Sequence, residues 1–347
     1  MKNKISLIFS MIAMAFVLAA CGGSSNKEVV NVYNWGEYID TALLDKFEEE
    51  TGIEVKYDMF TTNEDMYVKL KSSNISYDIL VPSDYMIERM KNEGMLQPIN
   101  FENVPNYANV DDTFKNQTFD ENNEYSAPYF WGTLGIVYNK EMVQEPVTSW
   151  DILWDDKYEN QIIMMDSSRD SIGVALKKLG YSLNSKNESE LEEAKQELIA
   201  QKPIVRAYLM DETKDMMKNG EAALAVMYSG DAADAISENP NLEYVIPQEG
   251  SNIFIDAMVI PANATNKENA EKFINFMLDV NNAAQNASIG YSTPISAAKE
   301  LLDDDMKNNE AAYPDQATLD ALDLETFRDP AEMLERYDSI WQDVKSN

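Results

Sequence analysis

Tyr125-Ser126-Ala127-Pro128-Tyr129-Phe130-Trp131-Gly132-Thr133-Leu134-Gly135-Ile136-Val137-Tyr138 is a long apolar and aromatic run without a single charge. A second run, Ile253–Pro261 (IFIDAMVIP), carries one charge, Asp256. Both stand between blocks in which short strands and helices alternate. A single compact unit has no obvious place for them. A protein of two α/β lobes does, as the strands that cross from one lobe to the other.

The flanking blocks support that reading. Val29–Tyr33 is a short apolar strand. Leu43, Leu44 and Phe47 follow at helical spacing and end at Thr51-Gly52. Ile53, Val55 and Tyr57 alternate with Glu54 and Lys56 and predict a second strand. Thr61 and Glu64 read as a capping box for a helix carrying Met66, Tyr67 and Leu70. Ile79-Leu80-Val81 is a buried strand stopped by Pro82, and the helix after it shows Met86 and Met90 on one face and stops at Gly94. The theme returns with a strand at Ile162–Met165, a helix at Ile172–Leu179 closed by Gly180, and a helix at Glu190–Ala200 opened by Ser189 and Glu192. A small-residue strand, Ala222–Tyr228, precedes Gly230 and a helix with Ala232, Ala235 and Ile236. Thr265 and Glu268 cap a helix striped by Ala270, Phe273, Ile274 and Met277. Such alternation predicts an α/β fold with a largely parallel sheet. No internal repeat at a fixed period is present.

Length and composition narrow the function. The chain has 347 residues, enough for one large domain or two medium ones, and 44% are hydrophobic. It contains no histidine, which excludes Ser-His-Asp and Cys-His chemistry and imidazole metal sites. No metal and no cofactor is expected. Of 28 basic residues, Lys2 and Lys4 lie in the first twenty; the rest carries 26 basic side chains against 61 acidic ones, or −35. That balance argues against nucleic acid and favours cationic small ligands. Runs such as Glu48-Glu49-Glu50 and Asp303-Asp304-Asp305 read as solvated faces.

Residues 1–20 combine Lys2 and Lys4 with an apolar run from Ile5 to Ala20. Leu18-Ala19-Ala20 then precede Cys21, the chain's one cysteine. This is a secretory signal with a cysteine at the cleavage point, the pattern of a bacterial lipoprotein. It predicts a signal peptide over 1–20, lipidation of Cys21 and a tether over 21–27. The working part is then held at the outer face of the cytoplasmic membrane. With Cys21 so used, no disulfide remains and stability rests on packing.

Val32-Tyr33-Asn34-Trp35-Gly36-Glu37-Tyr38-Ile39 places two aromatics around a glutamate just past the first strand, where α/β proteins bind ligands. Further on come Leu80-Val81-Pro82-Ser83-Asp84-Tyr85, Pro128-Tyr129-Phe130-Trp131-Gly132-Thr133 and Asp166-Ser167-Ser168-Arg169-Asp170. Asp256 with Ile260-Pro261-Ala262-Asn263-Ala264 and Ile289-Gly290-Tyr291-Ser292-Thr293-Pro294 complete the set. In this order and spacing, over Val29–Lys345, the chain resembles the spermidine/putrescine-binding proteins of ABC importers.

The resemblance implies a two-lobed, periplasmic-binding-protein-like fold of type II with crossing strands as its hinge. One lobe is expected over 28–133 plus 257–300, the other over 134–256 plus 301–347. It implies a monomer that closes on a polyamine and delivers it to ABC permease subunits. Trp35, Gly36, Glu37 and Tyr38 would line one wall with Ser83 and Tyr85. Asp170, Tyr228, Phe254 and Asp256 would face them, with Tyr291 near the opening. Glu37, Asp170 and Asp256 would pair with ammonium groups. The chain departs from the family at Ser167, where an aspartate is usual, and at Tyr228 and Phe254, where tryptophans are usual. The missing carboxylate weakens the case for a triamine over a diamine. No residue is carried over from Leu322–Pro330.

Elementary chemistry points the same way. A desolvated ammonium needs a carboxylate or carbonyl, and methylenes need an apolar wall that a ring face supplies. Asp256 in an apolar strand is costly unless it has a partner. Asp166 and Asp170 could instead be helix caps, and Tyr228 and Phe254 core aromatics. Alternatives are a binder of another cationic or aminated solute, a glycoside hydrolase using paired carboxylates, and an adhesin that keeps the lobes without transport. The expectation is binding rather than catalysis.

Overall fold

The computed structural model describes residues 27–73, 75–330 and 333–346. The signal, Cys21 and all of the tether except Lys27 lie outside the described residues. Two long strands divide the molecule: β5 (Ser126–Asn139) and β10 (Ser251–Pro261). They pair antiparallel and form the centre of a sheet ordered β2-β1-β3-β10-β5-β8-β6-β7. The outer strands on one side are β1 (Val29–Trp35), β2 (Glu54–Phe60) and β3 (Ile79–Leu80). On the other they are β6 (Ile162–Met165), β7 (Val205–Leu209) and β8 (Leu224–Tyr228). Short strands β4 (Leu96–Gln97) and β11 (Leu324–Glu325) pair with β10, and β9 (Leu242–Val245) pairs with β5.

The expected parallel sheet is therefore mixed. Parallel pairing holds within each outer group, β2-β1-β3 and β8-β6-β7. Each group meets the central pair antiparallel. Alternation of strand and helix dictates parallel neighbours only where one crossover helix makes the return, and the two long strands are separated in the chain by four strands and four α-helices rather than by one crossover helix.

β5 changes partner along its length. Residues from Ser126 to Thr133 pair with β10, and those from Leu134 to Asn139 pair with β8 and β9. β10 breaks register between Asp256 and Ala257, and Asp256 forms a lone bridge to Ser83. A bulge bends a strand and re-aims a side chain. Here the extra residue is Tyr129 of β5, across from Asp256, the one charged residue of the β10 run. Gly132 lets the two strands close up, because a Cβ there would meet the Phe254 ring and Ser229 Oγ at 2.6 Å.

Buried apolar side chains gather in two clusters. The larger cluster runs from Val30 and Leu43 through Ile255 and Val259 to Ala232 and Ala235, and it includes Leu302 and Ala311–Tyr313. The second gathers Trp150, Ile162, Met164, Ile172, Leu191 and Leu198 with Tyr337, Ile340 and Val344 of the last helix.

Three helix starts differ from the expected capping boxes. Thr62, not Thr61, caps Asn63–Ser72, accepting from the Asp65 N–H. Asn187, not Ser189, caps Glu188–Gln201. Asn266 precedes Lys267–Met277 without a side-chain cap, although Thr265 was expected there. A hydroxyl or amide one or two residues away competes for the same N–H groups, and spacing alone does not choose between them.

Candidate functional site

Two buried aspartates, Asp256 on β10 and Asp170 at the start of a helix, anchor the candidate site. Asp256 is 4% exposed on β10, across from the bulge of β5. Its Oδ2 accepts the Tyr38 hydroxyl at 2.5 Å, while Oδ1 is buried without a hydrogen-bond partner among the described residues. Burial pushes the carboxyl up to about 6, against the pull of Ser83 and Tyr38. Asp170 is 4% exposed in the first turn of Ser168–Lys178. Its Oδ2 accepts from Ser167 Oγ and, at 2.9 Å, from the Tyr228 hydroxyl. Its Oδ1 is buried and likewise lacks a partner. Burial raises this carboxyl too, opposed by Ser167, Tyr228 and Arg169.

Each carboxylate thus has one oxygen held by a tyrosine and one left over. The two fields converge: the negative charges of both Asp170 and Asp256 raise Tyr228 beyond what its burial does. A buried acceptor without a donor costs about 1–3 kcal/mol. Two such acceptors are what a ligand with two N–H donor groups would satisfy.

Aromatic rings wall this region. Trp35 donates its indole N–H to the Val81 carbonyl at 2.8 Å and stacks tilted on Phe60. Tyr38 lies edge-on to Tyr291 at 4.5 Å and to Phe130 at 5.1 Å. Tyr228 meets Phe254 edge-on at 5.3 Å. Tyr85 gives its hydroxyl to Glu64 and turns its ring toward Arg169 and Phe327.

Two expected residues stand apart. Gly36 is exposed at the turn after β1. Glu37 has a positive φ of 51° and a side chain that is 88% exposed, with Lys214 at 3.7 Å. Its carboxylate is already facing a cation rather than joining the buried pair.

Ser167 has a structural role of its own. The notional loss of an aspartate leaves the N-cap, whose Oγ both accepts from the Asp170 N–H and donates to the Asp170 carboxylate. Asp170 is therefore not the cap but the residue the cap serves.

Sequence reasoning missed several neighbours. Asp84, 1% exposed, accepts from the Tyr85 and Ile255 N–H groups, and burial together with the nearby Asp256 charge holds its carboxyl well above the ordinary range. Arg169 packs its guanidinium on Phe327 and Tyr337. Arg328 forks onto Glu88, which also accepts the Asp329 N–H at 2.9 Å. Phe327, Arg328 and Asp329 all come from the segment left out of the sequence reading.

A two-winged sheet with buried carboxylates and aromatic rings at its crossing strands is the architecture of extracytoplasmic solute-binding proteins. The family of bacterial extracellular solute-binding proteins matches residues 42–314, and the chain belongs to it. It is 40% identical over 310 residues to the spermidine/putrescine-binding periplasmic protein of Salmonella typhimurium, covering 88% of this chain and 89% of that one. A putrescine-binding periplasmic protein of Pseudomonas aeruginosa is 30% identical over the full length of both. Among solved structures, the spermidine/putrescine ABC transporter substrate-binding protein of Streptococcus pneumoniae is 44% identical, with a TM-score of 0.82 over 92% of this chain and 99% of that one. A lipoprotein of Treponema pallidum is 28% identical, with a TM-score of 0.83 over 92% of this chain and all of the other.

Proposed function

We propose that this protein is the substrate-binding subunit of an ABC importer and captures putrescine or spermidine between its two lobes. The observation that carries this reading is the pair of buried carboxylates, Asp170 and Asp256, each with one oxygen lacking a donor. An ammonium of a polyamine supplies the donors and the counter-charge at each. Trp35, Tyr38, Ser83, Tyr85, Tyr228, Phe254 and Tyr291 flank them, and the rings fit the methylenes between. Glu37 and Gly36 belong to the rim.

The lobes we infer meet within β5 and β10. The change of partner in β5 at Thr133/Leu134 and the register break at Asp256/Ala257 are natural hinge points. The second return to the far lobe falls after Tyr313, because Ala311–Tyr313 pack with the first core. Closure then uses contacts between the lobes such as Glu88 with Arg328, and the work done is binding and release, not bond chemistry. The closed, loaded form is the one handed to the permease.

A ligand that binds only the folded protein stabilises it by about 2.7 kcal/mol at 100 times its Kd. Thermal melting of the soluble part with putrescine, cadaverine, spermidine and spermine reads that shift. No shift with any of them at millimolar concentration overturns the polyamine reading.

The relatives place the working part outside the cytoplasm, and among the described residues no helix is long and apolar enough to cross a membrane. A lipid on Cys21 would tether it there, as a monomer beside the permease. Cys21→Ala is then expected to leave the membrane fraction or stay unprocessed. Fully processed variant protein that remains in the membrane fraction would show that the anchor lies elsewhere.

A further inference from the structure

Lys214 stands in an unusual place. It projects from the helix Glu212–Lys218 into a recess of about 210 Å³ lined by Glu37, Gly230, Asp231, Asp234 and Tyr291. Its Nζ lies 3.4 Å from Asp234, 3.7 Å from Glu37 and 3.9 Å from Asp231. Lys218 on the same helix instead sits at 2.8 Å from Glu238 and 2.9 Å from Asp234. The Lys214 ammonium is therefore shared among three carboxylates rather than committed to one.

The recess is the next step outward from the buried pair on both walls. On one wall Glu37 precedes Tyr38, the hydroxyl donor to Asp256. On the other, Gly230 and Asp231 follow Tyr228, the hydroxyl donor to Asp170. Tyr291 joins the two. Its ring is edge-on to Tyr38, and it rests so closely on Gly230 that a Cβ there would lie 2.5 Å from it. A linear amine whose first two ammonium groups sit at Asp256 and Asp170 meets this recess when it extends past Tyr38 and Tyr228 along these two walls. Three carboxylates are the expected surroundings for that group, and a lysine ammonium already occupies them.

We infer that Lys214 is a specificity-determining residue that stands in for a third ligand ammonium, so that the cleft favours a diamine over a triamine. This rests on the polyamine reading above. Removing the lysine charge frees Glu37 and Asp231 for the third ammonium of spermidine, with Asp234 still paired to Lys218, while a diamine that does not reach the recess binds nearly as before. Burial also pushes the Asp231 carboxyl up to about 6 despite Lys214 beside it, so this carboxylate has more to gain from a further cation.

The test is titration calorimetry of putrescine and spermidine on wild type, Lys214→Met and Lys214→Arg. Wild type is expected to bind putrescine at least as tightly as spermidine. Lys214→Met is expected to raise the spermidine-to-putrescine affinity ratio about tenfold, as one gained charge-assisted contact implies. Lys214→Arg keeps the charge and should keep the wild-type ratio. Lys214→Gln repeats the measurement and must move the ratio in the same direction as Lys214→Met. An unchanged ratio in the neutral variants, an equal loss for both amines, or a shift in Lys214→Arg as large as in Lys214→Met overturns the role of Lys214 and leaves the polyamine reading standing. Binding of neither amine to wild type overturns both.

Discussion

Asp256 and Asp170 are equally buried, yet the chain supports their charges differently. Asp256 interrupts an apolar strand, where the Ser83 and Tyr38 side chains are what favour its charge. Asp170 lies in the first turn of an eleven-residue helix, with donors from both Ser167 and Tyr228 and the Arg169 guanidinium nearby. A helix N-terminus carries partial positive charge and favours an anion there. The fold thus supplies much of what Asp170 needs before any ligand arrives. It supplies little to Asp256, where a cationic ligand is the missing counter-charge. The difference teaches which carboxylate is held ready at the cost of the empty protein and which is also part of the scaffold.

The largest expected effect tests that ranking. Asp256→Asn keeps the shape and removes the charge, and a charge-assisted hydrogen bond of roughly 1.5–3 kcal/mol predicts a ten- to hundredfold loss of polyamine affinity. Asp170→Asn is expected to cost about tenfold or less, because Ser167, Tyr228 and the helix terminus still orient the amide. Calorimetry on both variants decides it. A greater loss at Asp170 would reverse the comparison, and unchanged affinity at Asp256 would make that residue structural.

Next in size is the dependence on pH. The Asp256 carboxyl titrates at about 6 in the folded protein, against about 3.9 in an unfolded chain. The folded form therefore holds its proton over that window. Its contribution to stability is greatest below pH 4 and is lost as the pH rises through 6. Removing the group should stabilise the ligand-free protein at pH 7.5, by an amount on the order of 2 kcal/mol. The melting-temperature difference between Asp256→Asn and wild type is expected to shrink as the pH is lowered from 7.5 to 4. Ligand binding runs the other way: it needs the carboxylate, so affinity should fall about tenfold per pH unit below 6. If the melting difference is constant with pH, the strand carboxylate is not the strained one.

How far these features were legible in the sequence follows from their range. β5 and β10 stand out because an uncharged run is a local signal, and Asp256 stands out as the exception inside one. The strand and helix blocks follow from periodicity within ten residues or so. The mixed sheet did not follow, because antiparallel pairing of β5 with β10 joins residues more than a hundred positions apart, such as Phe130 with Asp256. Glu88 and Arg328, separated by 240 positions, carry no mark in either segment. Ser167 was read as a loss because charge was counted and the cap was not. Lys214 is an ordinary lysine on a polar helix until the fold brings Glu37 beside it. Tyr228 and Asp170 came from family likeness, and their hydrogen bond came from the structure.

The smallest expected effect separates the two tyrosines. Tyr38→Phe removes the hydroxyl that Asp256 Oδ2 accepts, leaving Ser83 as the remaining side chain that favours the charge, with Oδ1 still unmet among the described residues. An unmet acceptor costs about 1–3 kcal/mol, so polyamine affinity should fall about tenfold as the group becomes harder to ionise. Tyr228→Phe removes one of two donors to Asp170 Oδ2, and Ser167 Oγ remains on the same atom. Part of the charge-assisted interaction survives in Ser167. A loss of only a fewfold is expected, because Phe also preserves the edge-on contact with Phe254 that the ring makes. Calorimetry on the two variants at one pH gives the ratio. Adding Ser167→Ala to Tyr228→Phe should then cost more than the two single changes together, since only the double variant strips Asp170 of both hydroxyls. If Tyr228→Phe alone matches Tyr38→Phe, then Ser167 does not share the load, and Asp170 is supported no better than Asp256.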